Sequence, residues 1–208
     1  MIELLTADTP NGKKISIMLE EIKFDYKVTK INIFKDEQFK PEFKKISPFN
    51  KIPVIIDHSN QKSVFESGAI LIYLGEKSGK LYDFDNRTII NQWVMAQMAF
   101  VGPMLGQHHQ FHHYNPGKSK FGEERYFKIA EKIYKDLDDR LSNTNYLAGN
   151  DYTIADIATF PWIARHEWHD IGLKRFSHLV RWYTDISNRD AVQKGFDLLK
   201  KDEKIPQV

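Results

Sequence analysis

The chain has 208 residues, 41% of them hydrophobic, enough to bury a sizeable core as one large domain or two small ones. Thirty basic against 28 acidic residues leave a net charge of +2, which gives no electrostatic reason to expect nucleic acid or an anionic membrane as partner. Cysteine is absent, so disulfides, thiolate metal sites and cysteine nucleophiles are excluded, and any thiol chemistry must use an imported sulfur. No apolar run approaches the roughly 20 residues that span a bilayer, and the N-terminus does not read as an export signal. A cytoplasmic location is the expectation.

Met1 to Leu5 is a short apolar run, and Ile15, Met18, Leu19 and Ile22 then fall on one helix face. Thr9 and Pro10 make an N-cap and first-turn pair for that helix. Val28, Thr29, Ile31 and Ile33 predict a second strand, so the chain opens as a βαβ unit. A short helix is expected from Pro41 to Lys45.

Residues 46 to 68 carry the densest signal. Pro53 stands directly before the apolar run Val54 to Ile56; a proline cannot donate to a ladder and belongs at a strand start. Ser63 to Phe65 reads as the returning strand of a hairpin. Glu66-Ser67 then opens an apolar helix to Lys77, which places Ser67 where unpaired amides and the positive helix end favour a carboxylate. The order is βαβ, α, ββα, and a backbone edge at Ile52 beside a carboxylate pocket at Ser67 suits a small anionic peptide.

Beyond a polar segment at 80 to 87, helical period takes over, with helices expected at about 88 to 113, 122 to 142, 153 to 170, 175 to 188 and 189 to 199. The expected division is a domain over residues 1–80 and an all-helical domain over 88–208. Thr153 precedes Asp156 by three residues, the spacing of a capping box, so Asp156 reads as structural. Within Gln107 to His113, His108 and His112 share a helix face, as do His109 and His113. That i, i+4 spacing can hold zinc, but no Glu follows the first His and no acidic ligand lies nearby, so no metal is assigned.

Taken together, Thr9-Pro10-Asn11-Gly12-Lys13-Lys14, Ile46 to Pro53, Phe65 to Ile70, Gly102 to Gln107 and Thr153-Ile154-Ala155-Asp156-Ile157 resemble the glutathione transferases across essentially the whole chain. The first four resemble the bacterial nu-class members, which act as glutathione-dependent disulfide-bond reductases. The resemblance implies a thioredoxin-like first domain, an all-helical second domain, a cis Ile52-Pro53 bond and a homodimer. It implies glutathione or glutathione disulfide as bound partner, with a small disulfide or an electrophile as the second substrate.

The same resemblance maps the glutathione site onto Thr9, Asn11, Gln38, Lys51, Ile52, Pro53, Glu66, Ser67 and Arg125. Many relatives activate the glutathione sulfur with a tyrosine, serine or cysteine after the first strand; this chain has no Tyr or Cys there. Asn11 is therefore read as the principal thiolate donor, with Thr9 assisting. Glu66 and Ser67 are assigned to the γ-glutamyl amine and carboxylate, and Ile52 offers its backbone to the cysteinyl segment. Gln38, Lys51 and Arg125 suit the polar ends of the peptide or a second glutathione, although an exposed cation also reads as plain solvated surface. Met104, His108 and Phe111 are assigned to the wall of the acceptor pocket. Disulfide reduction, conjugation to electrophiles and peroxide reduction are all open to such a site, and a noncatalytic binding module or a histidine-based metalloenzyme are the rivals from other classes.

Overall fold

The computed structural model describes residues 1–200 and 202–208. Two compact units are formed, Met1–Asp83 with Arg189–Lys204, and Phe84–Asn188 with Ile205–Val208.

In the first unit the order is β1 (Ile2–Thr6), α1 (Pro10–Ile22), β2 (Tyr26–Lys30), α2 (Pro41–Ile46), β3 (Val54–Asp57), β4 (Lys62–Phe65) and α3 (Ser67–Ser78). This is the βαβ-α-ββα arrangement of the sequence reading. Among the described residues the strands form one mixed sheet in the order β2-β1-β3-β4, with β1 parallel to β2 and antiparallel to β3. The second strand stops earlier than its β-branched pattern suggests. After Ile31 N–H donates to Thr6 O, the Asn32 side chain accepts from the Phe34 and Lys35 amides and turns the chain out of the sheet. Ile15, Met18, Leu19 and Ile22 of α1 are buried as their spacing requires, with Ile70, Leu71 and Leu74 of α3.

The helix Asp190–Asp197 belongs to this unit despite its distance in sequence. Its Gly195 lies so close to α1 that a Cβ would come within 2.5 Å of Ile17 Cα, and Ser16 Oγ donates to Gly195 O at 2.6 Å. Buried Lys13 fastens the same segment to the start of α1. Its Nζ donates to Phe196 O at 2.8 Å, pairs with Asp8 at 3.0 Å and binds Glu203.

The second unit is helical: α4 (Arg87–Ala96), α5 (Gly102–His108), α6 (Lys120–Leu141), α7 (Ile154–Ile163), α8 (His166–His169) and α9 (Ser177–Ser187). The helix expected over 88–113 is a run of α4 and α5 with wider π turns at Gln97–Val101 and His109–Tyr114. Pro103 has no N–H to return to residue 99, and Gly102 N–H reaches five residues back to Gln97 O, so the ladder widens there. The helix expected over 153–170 is instead two. Ala164 closes α7, Arg165 N–H makes a tighter bond to Trp162 O, and α8 starts afresh. No helix among the described residues is long and apolar enough to cross a membrane.

Thr153 and Asp156 form the capping box that their spacing predicts. Asp156 does more than cap: Oδ1 accepts from Leu147 N–H at 2.9 Å and Trp182 Nε1–H at 2.8 Å, while Oδ2 accepts from Thr153 N–H at 3.0 Å. One buried carboxyl thereby joins the loop before α7, the start of α7 and the middle of α9.

Histidines form a second buried polar cluster in this unit. His109 Nε2 and His169 Nε2 share a hydrogen at 2.7 Å, His169 Nδ1 meets Tyr134 Oη at 2.6 Å, and His108 Nε2 donates to His169 O at 2.8 Å. His109 and His169 stack with ring centres 4.8 Å apart. Burial, reinforced by His108, Arg165 and His113, pushes the His109 imidazole down to about 3, and burial with the neighbouring histidines holds His169 well below its ordinary value. Both are neutral in the fold, whereas an unfolded histidine takes up a proton below about pH 6.5, so the folded state loses stability as pH falls through that point. The expected slope is up to about 1.4 kcal/mol per pH unit for each histidine held neutral. Urea denaturation at about pH 7.5 and about pH 5.5 measures it, and an unchanged midpoint would contradict the neutral network.

Candidate functional site

The sheet register gathers the sequence motifs at one end of the first unit. Leu5 of β1 pairs with Val54 of β3, and Val54 pairs with Phe65 of β4. The end of β1, the start of β3 and the end of β4 therefore lie side by side. From that edge emerge Thr9 and Asn11 after β1, Ile52 and Pro53 before β3, and Glu66 and Ser67 after β4.

Gly12 lets α1 begin hard against the end of β1: a Cβ there would lie 2.3 Å from Ala7 O and 2.5 Å from Thr6 Oγ1. Thr9 Oγ1 caps the helix by accepting from Gly12 N–H at 3.0 Å. Its oxygen holds the helix start, which directs its own hydroxyl hydrogen elsewhere. Asn11 occupies the second position of the helix, half-buried, where the macrodipole is positive.

The Ile52-Pro53 bond is cis. Pairing starts at Val54, so the Ile52 backbone lies ahead of the ladder. The preceding loop is held by its own polar groups. Lys51 N–H donates to Ser47 Oγ at 3.0 Å, and Ser47 Oγ donates to Lys51 O at 2.8 Å. Asn50, in left-handed backbone with φ 57, donates from its side-chain amide to Gln38 O at 3.0 Å. Gln38 is thereby brought to the Lys51-Ile52 loop from a separate turn. Its Oε1 is buried with no hydrogen-bond partner among the described residues, and the Lys51 side chain is exposed.

Glu66 takes φ 68 and ψ 117, a conformation that costs about 1–3 kcal/mol in a non-glycine residue and persists where surroundings impose it. It makes no side-chain cap bond to α3, in contrast to Thr9 on α1. Ser67, the first residue of α3, is buried and accepts from Lys14 Nζ at 3.3 Å. Lys14 closes the Thr9 to Lys14 motif of the sequence reading but is given no role in the site there. The readable signal is its spacing: it stands three residues after Asn11 and four before core Met18, a cation on an apolar helix stripe.

The other predicted residues lie in the second unit. Arg125 is exposed on α6, with its guanidinium 6.0 Å from the Tyr126 ring. Phe111 stacks on Tyr126 at 5.3 Å and presses on Gly122, where a Cβ would meet it at 2.5 Å. Met104 is half-buried on α5. His108 has no exposed surface, and its ring is held by His169 O and stacked on His112. His109 and His169 spend facing nitrogens on each other, and among the described residues no group of three or more His, Asp or Glu is placed to hold a metal ion.

The sequence matches the family model for the glutathione S-transferase N-terminal domain over residues 3–76 and that for the C-terminal domain over residues 95–190. The chain belongs to the glutathione S-transferase family. It is 42% identical to the disulfide-bond oxidoreductase YfcG of Escherichia coli over 207 residues, covering 96% of this chain and 95% of that protein. Its fold is similar to a glutathione transferase family member from Pseudomonas fluorescens with two glutathione bound, at 39% identity and TM-score 0.88, covering 94% of this chain and 92% of that one. It is equally similar, at 39% identity and TM-score 0.88, to a glutathione transferase from Pseudomonas putida with one glutathione disulfide bound per subunit, covering 95% and 91%.

Proposed function

We propose that the chain is a glutathione-dependent disulfide-bond reductase. The observation that carries this reading is the convergence of Thr9-Asn11, Ile52-Pro53 and Glu66-Ser67 at one sheet edge in a chain with no cysteine of its own. Such an edge holds a small peptide by its backbone and carboxylate and presents the start of α1 to its sulfur. The name of YfcG and the disulfide bound by the Pseudomonas putida relative support the reaction type.

Free thiols near pKa 8.5 are mostly protonated at neutral pH, so the protein must favour the thiolate. Asn11 donates to it, Thr9 supplies its hydroxyl hydrogen, and the positive end of α1 adds to both. The thiolate attacks one sulfur of the substrate disulfide, forming a mixed disulfide with glutathione and expelling the other sulfur as a thiolate. A second glutathione thiolate attacks the glutathione sulfur of that mixed disulfide. The products are glutathione disulfide and two thiols, the protons coming from the two glutathiones.

Glu66 binds the γ-glutamyl ammonium, Ser67 and the first amides of α3 bind its carboxylate, and Ile52 offers backbone donor and acceptor, with Pro53 holding the turn. Gln38 and Lys51 serve the polar ends of the peptide. Arg125, Met104 and Phe111 are the candidates for acceptor binding. His108, wholly enclosed, is assigned to shaping that region through His112. The reductase works as a cytoplasmic homodimer, to which the exposed apolar Met95 and Phe100 on the long helical run are suited.

The test is a paired assay with hydroxyethyl disulfide and a chlorodinitrobenzene-type electrophile after glutathione and glutathione disulfide binding have been measured. Disulfide turnover is expected to exceed conjugation by about tenfold or more, a barrier difference of about 1.4 kcal/mol. Faster conjugation would move the chain to the conjugating transferases, and failure to bind either form of glutathione would sink the catalytic reading.

A further inference from the structure

Lys13 is 1% exposed, and two carboxylates converge on it. Asp8 lies 3.0 Å from its Nζ, an ion pair short of an aligned hydrogen bond, and Glu203 meets the same nitrogen from the far end of the chain. Phe196 adds its carbonyl oxygen at 2.8 Å and its ring at 4.0 Å. A buried ammonium needs such partners, because leaving water is costly for an unpaired ion. One enclosed cation thus answers two anions. Around them, Lys200 Nζ approaches Glu203 at 3.9 Å, and Glu203 N–H donates to Asp197 Oδ1 at 3.1 Å.

The place of this cluster gives it a bearing on the chemistry. Asp8 directly precedes the Thr9 cap, so its carboxylate stands near the positive end of α1, where the glutathione sulfur is assigned. An anion there draws on the same field as a thiolate and, left uncancelled, pushes a neighbouring thiol toward its protonated form. Asn11 and Lys13 are two positions apart on α1, about 200° around the axis, so they serve opposite faces. Lys13 works from behind, gathering Asp8, Phe196 and Glu203 onto one nitrogen. The same C-terminal segment is held by Lys30 Nζ, which donates to Leu199 O at 2.9 Å, and by Gly12, where a Cβ would lie 3.3 Å from Leu199 Cδ1.

We propose that Lys13 is a positioning residue for the thiol chemistry, fastening the start of α1 to the C-terminal segment and cancelling enough of Asp8 and Glu203 to keep that helix end favourable to a thiolate. This rests on the glutathione reading above. Lys13 does not touch the ligand; it acts through the turn from Asp8 into α1 and through charge. A lysine with only a packing role would change stability and leave the ionisation of a bound thiol where it was.

The experiment is a pH titration of glutathione bound to three proteins, read by the ultraviolet absorbance of its thiolate, with S-methylglutathione binding measured alongside. The proteins are wild type, Lys13→Met, and the triple variant that combines Lys13→Met with Asp8→Asn and Glu203→Gln. One cation and two anions become two uncancelled anions in Lys13→Met and a neutral cluster in the triple variant. The bound thiol pKa is expected to rise by about one unit in Lys13→Met and to return to the wild-type value or below in the triple variant. S-methylglutathione, which has no thiol to ionise, is expected to bind all three within about threefold. A thiol pKa unmoved in Lys13→Met, or still raised in the triple variant, would overturn the role of Lys13 while leaving the glutathione reading in place. Wild type that binds neither glutathione nor S-methylglutathione would overturn both. Should Lys13→Met fail to fold, Asp8→Asn decides, because it keeps Lys13 paired with Glu203 and removes the anion next to Thr9. Its bound thiol is expected to titrate at least about half a unit below wild type, and an unchanged or higher value overturns the proposal.

Discussion

Asn11→Ala is expected to lower kcat/KM for disulfide reduction by about 10²-fold while changing glutathione affinity by no more than about threefold, the pattern of a donor lost from a developing or stabilised anion. The separation follows from where the groups sit. Asn11 lies at the second position of α1, whereas the groups assigned to holding the peptide lie at Ile52, Glu66 and Ser67, across the end of the sheet. Removing the amide leaves the helix start intact, because Thr9 supplies the cap and Gly12 the close approach to β1. The pH at which activity reaches half its maximum is expected to rise as well, toward the ordinary thiol value near 8.5. Steady-state kinetics across pH, with binding measured separately, checks both. A variant that binds glutathione and keeps full reductase activity would remove Asn11 from the chemistry, leaving Thr9 and the dipole of α1 to carry it.

The largest effect on stability is expected from Asp156→Ala. The carboxyl is wholly buried, and its loss strands the Leu147 amide, the Thr153 amide and the Trp182 indole N–H without an acceptor. Each buried donor left unpaired costs about 1–3 kcal/mol, and the costs within one network are not additive, so a total of about 3–5 kcal/mol is expected. For a chain of this length that corresponds to a fall of roughly 10 °C in Tm. Asp156→Asn is expected to fall between, since one oxygen still accepts while the amide opposes Thr153 N–H. Urea unfolding followed by tryptophan fluorescence reads the loss, Trp182 itself reporting on the network. A change below about 1 kcal/mol would mean that the surroundings close over the gap.

Most of the candidate site's motifs were legible before the fold because their parts are local. A threonine cap followed by proline, a proline at a strand start and a serine opening a helix each announce themselves within a few residues, because caps and ladders are made by neighbours in the chain. The capping box at Thr153 and Asp156 was readable for the same reason. The breaks in the helical half were less so. Pro103 marks one widened turn, but α7 ends at Ala164 with neither glycine nor proline at the join to α8, so hydrophobic period ran straight through it.

What the sequence by itself determined was the element order, the absence of any cysteine nucleophile and the motifs from which a site for a small anionic peptide is proposed. Tertiary structure decided which of them share an edge, through the Leu5–Val54–Phe65 register. It also decided that Lys14 lies under Ser67, that Asp156 reaches Trp182, and that His169 closes on His109 and Tyr134. The physical reason is separation along the chain. Local hydrogen bonds constrain residues three or four apart, whereas burial of a charge or an imidazole depends on what another segment, 26 to 60 residues away, lays over it.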